Sequence, residues 1–107
     1  MLDNMAIELH KNATEKGFWP EPDAVDDIFI AKQLMMIVSE VTEVMEAIRK
    51  DKGEEEITKE FADIIIRTLD LYAGVVEAGY TKLSLDNALL EKVEFNKSRP
   101  EKHGVRF

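Results

Sequence analysis

Two pairs of acids carry the chemistry that this sequence offers. Glu40 and Glu43 stand three residues apart within Ser-Glu-Val-Thr-Glu-Val-Met-Glu-Ala. Glu60 and Asp63 do the same within Lys-Glu-Phe-Ala-Asp-Ile-Ile-Ile-Arg. On a helix turning about 100° per residue, positions three apart share a face, and each pair borders an apolar stripe. If the two helices pair antiparallel through those stripes, four carboxylates converge at the margin of a core. Like charges at close range raise one another's pKa, and hard divalent cations relieve this. Mg²⁺ takes oxygen ligands, keeps part of its water shell and is completed by substrate phosphates. The plainer alternative is a set of boundary charges paired with Arg67 and Lys59, which contribute little. His10 and His103 form no Glu-x-x-His pair, so the di-iron bundle pattern is absent, and neither has a partner visible in the sequence.

A second constellation lies near the C-terminus. Leu85, Ala88, Leu89, Lys92, Asn96 and Arg99 recur at helical spacing, a stripe that starts apolar and ends in three hydrogen-bond donors. Donors on an inward face need an anionic partner. A triphosphate suits a point-charge Lys and a planar Arg fork. The alternative is a snorkelling Lys and a surface Arg at a helix end. Trp19, the only tryptophan, reads either as a lid on the core or as a stacking surface for a base. The lid reading weighs more, and Trp19 stays a candidate substrate contact.

These residues need helices to position them. The break at Trp19-Pro-Glu-Pro22 ends a first helix, expected over Asp3 to about Lys16, because proline restricts itself and its predecessor. A long second helix is expected from Asp26 to Lys50, with a turn at Asp51-Lys52-Gly53. A third should run from Glu54 to Ala78, its opening acids at the positive end of the helix dipole. Ser84 caps a fourth, Leu85 to Ser98. No stretch alternates with period two, so no sheet is expected. Ile30, Leu34, Ile37, Val38, Val41, Val44, Met45 and Ile48 form the stripe of the second helix. The third has Ile57, Phe61, Ile64, Thr68, Leu71, Tyr72 and Val75. It also carries a second apolar side, with Ala62, Ile66, Leu69, Ala73 and Val76, expected to meet another subunit.

The expectation is an all-α fold of four helices in a single domain, 1–107, completed by oligomerisation into at least a dimer. A chain of 107 residues supports one domain with a modest core. It has no cysteine, which excludes disulfides and thiolate metal sites. The net charge of −8 argues against binding a nucleic acid polymer. From Lys92 to Phe107, five Lys/Arg outnumber two acids, leaving −11 on the remainder. An acidic body with a basic end suits an anionic ligand that carries metal ions. The first residues lack the pattern of a signal peptide and no apolar run reaches membrane-span length. A cytoplasmic protein without a membrane partner is the expectation.

In order, these motifs resemble the MazG-like all-α nucleoside triphosphate pyrophosphohydrolases. That family pairs Glu-x-x-Glu on one helix, here Glu40 and Glu43, with Glu-x-x-Asp on the next, here Glu60 and Asp63. Its C-terminal helix typically bears Lys, Asn and Arg, matched by Lys92, Asn96 and Arg99. The early Gly-Phe-Trp and the Arg-Pro-x-x-His-Gly ending look like its short single-domain members, and the resemblance covers nearly the whole chain. Ser39 stands where many members carry a further Glu. The resemblance implies a four-helix MazG-like bundle that hydrolyses a (deoxy)nucleoside triphosphate between the α- and β-phosphates, giving the monophosphate and pyrophosphate. It implies Glu40, Glu43, Glu60 and Asp63 as ligands of two or more Mg²⁺ ions, with Mn²⁺ able to substitute, and as the catalytic set. It implies Lys92, Asn96 and Arg99 as phosphate contacts, and it extends the expected assembly from a dimer to a dimer or tetramer. Two rivals stand beside it: a phosphoribosyl-nucleotide pyrophosphohydrolase on a similar scaffold, and a non-catalytic helical interaction module.

Overall fold

Capping and turn residues set the helix limits in the computed structural model, which describes residues 1–100. The helices are α1 (Leu2–Glu15), α2 (Asp27–Arg49), α3 (Glu54–Glu77) and α4 (Leu85–Ser98), and a short 3₁₀ turn, Pro22–Ala24, precedes α2. There is no strand among the described residues. His103, Lys102, Arg106 and the rest of the ending from 101 onward lie outside the described residues. Asp26 caps α2 by accepting the Phe29 N–H at 2.8 Å, and Ser84 caps α4 by accepting that of Asn87 at 3.1 Å. Between α2 and α3 the chain reverses through Asp51 and Gly53, with φ of 51° and 96°. A left-handed backbone suits Gly and is tolerated by Asp. So short a connection makes α2 and α3 neighbours in an antiparallel hairpin.

α3 is the central helix: α2 packs along one side of it and α1 along another. Ala6 of α1 with Leu69 and Ala73 of α3 form the buried cluster, flanked by Leu2, Leu9 and Leu85. Part of the second apolar side of α3 is thus covered within the chain. The sequence reading assigned that whole side to another subunit, and α1 corrects this for Leu69 and Ala73. Ile66 and Val76 remain exposed.

The stripe expected on α2 divides into two. Ile30, Gln33, Ile37, Glu40, Val44 and Ala47 form its sheltered seam. Leu34, Val38, Val41, Met45 and Ile48 point outward, each 47–60 % exposed. Both sets recur at spacings of three and four. A helix with two such seams cannot show from its own sequence which one meets its neighbour.

At the far end the first turns of α1 and α4 cap each other. Asp86 accepts from the Met1 amine at 2.9 Å and from the Leu2 and Asp3 N–H groups at 2.8 and 3.0 Å. Asp3 in return accepts from the Leu85 and Asp86 N–H groups and from the Ser84 hydroxyl. The amine and these backbone donors hold the Asp86 carboxyl at about 2, well below the usual carboxylate range.

Candidate functional site

The α2–α3 hairpin brings three of the four expected carboxylates together. Glu40, Glu60 and Asp63 each offer an oxygen within 4.8 Å of the others. Glu40 and Glu60 are half-buried, and Asp63 is exposed. The fourth, Glu43, is exposed at the edge of α2, near enough for its charge to act on Glu60. Glu60 titrates above the ordinary carboxylate value. Desolvation is the first cause, followed by the negative charges of Asp63, Glu56, Glu43 and Glu40. Ligand oxygens on one octahedral Mg²⁺ lie at most about 4.2 Å apart. Only one pair among three can stand opposite, and oxygens side by side on the ion are about 3.0 Å apart, so the three carboxylates would have to draw closer to share one ion.

Glu40 departs from its expected position: it lies on the face of α2 that packs on α3, rather than beside it. Its partner there is Arg67, whose Nε donates to the Glu40 carboxylate at 2.8 Å. That ion pair belongs to the plainer reading of these charges, and it places a cation directly beside the acidic cluster.

A groove of about 530 Å³ opens next to the cluster, lined among others by Glu40, Asp63, Arg67, Lys32, Phe18 and Trp19. Its size falls in the range of small-molecule sites. Lys32 was missed in the sequence, although 32, 36, 40 and 43 follow one line along α2 and would have pointed to it. Trp19 bears out neither reading fully. It packs on Phe29, with ring centroids 5.2 Å apart, and against Gly74, where a Cβ would overlap the indole ring. It also forms a wall of the groove. The Trp19 indole N–H donates to Asp70 at 3.0 Å. Asp70 in turn lies 2.9 Å from Nδ1 of His10, and Nε2 of His10 lies 2.8 Å from Glu77. His10 is thus a buried residue with two acidic partners, sixty and sixty-seven positions away, too distant for any local pattern to show them.

The structure does not bring the C-terminal trio to this groove. α4 buries no residue of its own and touches chiefly α1. Lys92 and Asn96 are exposed. The Lys92 ammonium and the Arg99 guanidinium lie 5.7 and 5.1 Å from the Phe95 ring centroid, within cation–π range. Arg99 follows the helix in extended backbone, with φ −82° and ψ 146°, and donates to the Asn96 amide oxygen at 3.4 Å. Compared with protein-family models, with curated proteins and with solved structures, the chain matches none.

Proposed function

We propose that the chain is a Mg²⁺-dependent nucleoside triphosphate pyrophosphohydrolase of the MazG-like kind, with its active site at the acidic cluster and the adjoining groove. One observation carries this reading: Glu40, Glu60 and Asp63 converge within 4.8 Å beside a groove that also offers Arg67, Lys32 and two aromatic rings. Glu40, Glu60 and Asp63, with Glu43 at their edge, would hold the ions. When bound there, Mg²⁺ neutralises phosphate charge and lowers the pKa of a coordinated water. Arg67 and Lys32 supply the nearest positive charge for the phosphate oxygens, and Phe18 and Trp19 offer apolar faces to a base. One of the carboxylates takes the proton of the attacking water.

Lys92, Asn96 and Arg99 reach a phosphate chain in this reading from a second copy, since α4 stands away from the groove of its own chain. The apolar residues left open on α2 and α4 favour such a homo-oligomer. Among the described residues no helix is long and apolar enough to cross a membrane. A rival reading, a non-catalytic helical interaction module, is favoured by the Glu40–Arg67 ion pair. It predicts no Mg²⁺ binding at these acids.

A product assay tests the proposal. Each nucleoside and deoxynucleoside triphosphate is incubated with the protein and Mg²⁺. The expected products are monophosphate and pyrophosphate in equal amounts. Release of orthophosphate, or no turnover of any substrate, would overturn it. Activity confined to a phosphoribosyl nucleotide would move the protein to that rival.

A further inference from the structure

Four side chains form a continuous polar line that ends at the groove. Glu77 of α3 meets Nε2 of His10 at 2.8 Å, and Nδ1 of His10 meets Asp70 at 2.9 Å. Both oxygens of Asp70 accept from the Trp19 indole, at 3.0 and 3.1 Å. Asp70 accepts from the indole N–H, and the His10 ring stands between the two carboxylates at hydrogen-bond distance from both. The His10 side chain is 8 % exposed, and its ring meets the Trp19 indole edge-on at 4.5 Å. Trp19 itself sits outside any helix, between α1 and the 3₁₀ turn. Asp70 is the only polar partner of its side chain among the described residues. Gly74 leaves the space that lets the indole lie against α3.

We propose that His10 is a positioning residue. By holding Asp70 from α1, it fixes the plane of Trp19 as the aromatic wall of the groove, so that the groove selects ligands bearing a planar ring beside their phosphates. The part of this concerning the ligand rests on the function proposed above; the part concerning Trp19 does not. Without His10, Asp70 keeps both oxygens but loses the ring that holds them from α1. The indole then follows the carboxylate, and the wall loses its set angle. Asp70 also faces the groove, but His10 and Trp19 occupy its oxygens, which separates it from Asp63 and Glu60, about two and three turns earlier on α3.

Two substitutions divide the histidine's roles. His10→Asn keeps a donor where Nδ1 stands and gives up Glu77. His10→Gln keeps a donor where Nε2 stands and gives up Asp70. Because Trp19 is the only tryptophan, its emission reports the indole directly, with no ligand needed. Emission of His10→Asn is expected at the wild-type wavelength, and that of His10→Gln shifted to the red. A residue that merely clamps α1 to α3 would show equal spectra for the two variants, and that result overturns the proposal. Wild-type protein gives an independent test: its single indole N–H should exchange slowly with solvent, and free exchange there overturns the proposal however the variants fold.

Binding is then measured with Mg²⁺ and a non-hydrolysable deoxynucleoside triphosphate of each base, and with inorganic tripolyphosphate. In His10→Gln the nucleotide should lose on the order of tenfold in affinity, the scale of one base stacked on an aromatic ring. Tripolyphosphate, which has no ring, should bind as to wild type. Equal losses for both would overturn the selective role of the wall. If wild type binds neither probe, the functional reading of the groove fails, while the emission and exchange results still decide the relay.

Discussion

Desolvation first, and then the charges of four neighbouring acids, hold the Glu60 carboxyl above the ordinary carboxylate value. Glu60→Gln removes a charge and a metal ligand at constant size. Hydrolysis should fall by at least about 100-fold, as expected for loss of metal-supported charge stabilisation. Melting without metal should stay level or rise, because repulsion is relieved. Calorimetric Mg²⁺ titration and thermal melts check both, and near-normal turnover at saturating Mg²⁺ would remove Glu60 from the site. That Glu60 and Asp63 share an edge of α3 was legible in the sequence, because three-residue spacing fixes a face whatever lies opposite; Glu40 joins them from the face of α2 that packs on α3, and Glu43 stays at the edge. The ion pair of Glu40 with Arg67 was legible only as a possibility, since helical geometry places both residues but not the rotation of one helix against the other. The histidine network was not legible at all: His10, Asp70 and Trp19 meet only after α1 folds onto α3.

At the scale of elements, the hairpin and its caps follow from local chemistry. That is why the limits of α4, and those of the other helices to within a residue or so, could be read from capping and turn residues. Which side of α3 α1 would cover could not, because that helix is apolar on two sides. Gly74 shows how that packing overrides propensity. In an open helix Gly→Ala stabilises by about 1 kcal/mol. Here the new Cβ overlaps the Trp19 ring, so Gly74→Ala should destabilise and shift Trp19 emission to the red. In a Trp19→Leu background the same substitution should cost less or become favourable, as equilibrium unfolding of the four proteins would show; an unchanged cost would place the conflict elsewhere. The mutual caps of α1 and α4 make a pH prediction. The Asp86 carboxyl is lowered from 3.8 to about 2 in the folded chain, so its contribution is complete above its unfolded value and disappears as pH falls toward 2. Asp86→Asn should melt below wild type at neutral pH, with the gap closing between pH 4 and pH 2. A gap independent of pH across that interval would mean that charge is not what Asp86 contributes.

Across the whole molecule, the outer seam of α2 stands out. Leu34, Val38, Val41, Met45 and Ile48 alternate at four and three residues and are all exposed, the spacing with which helices interlock. Phe61 and Ile65 of α3 add to the uncovered apolar surface. If a second copy covers this seam, Val41→Glu should convert the wild-type oligomer to a monomer or unfold it, since an unpaired charge is costly to bury. Light scattering on both proteins checks this, and a monomeric wild type would remove the need for a partner copy. The same seam has a consequence in mass action. A chain whose apolar surface is covered only by its own kind has no fixed melting temperature, because association draws on the folded state alone and its effect grows with the amount of protein present. Dilution should then act on this protein as a mild denaturant: the midpoint of thermal unfolding should fall at each tenfold step down in concentration, at constant buffer and pH.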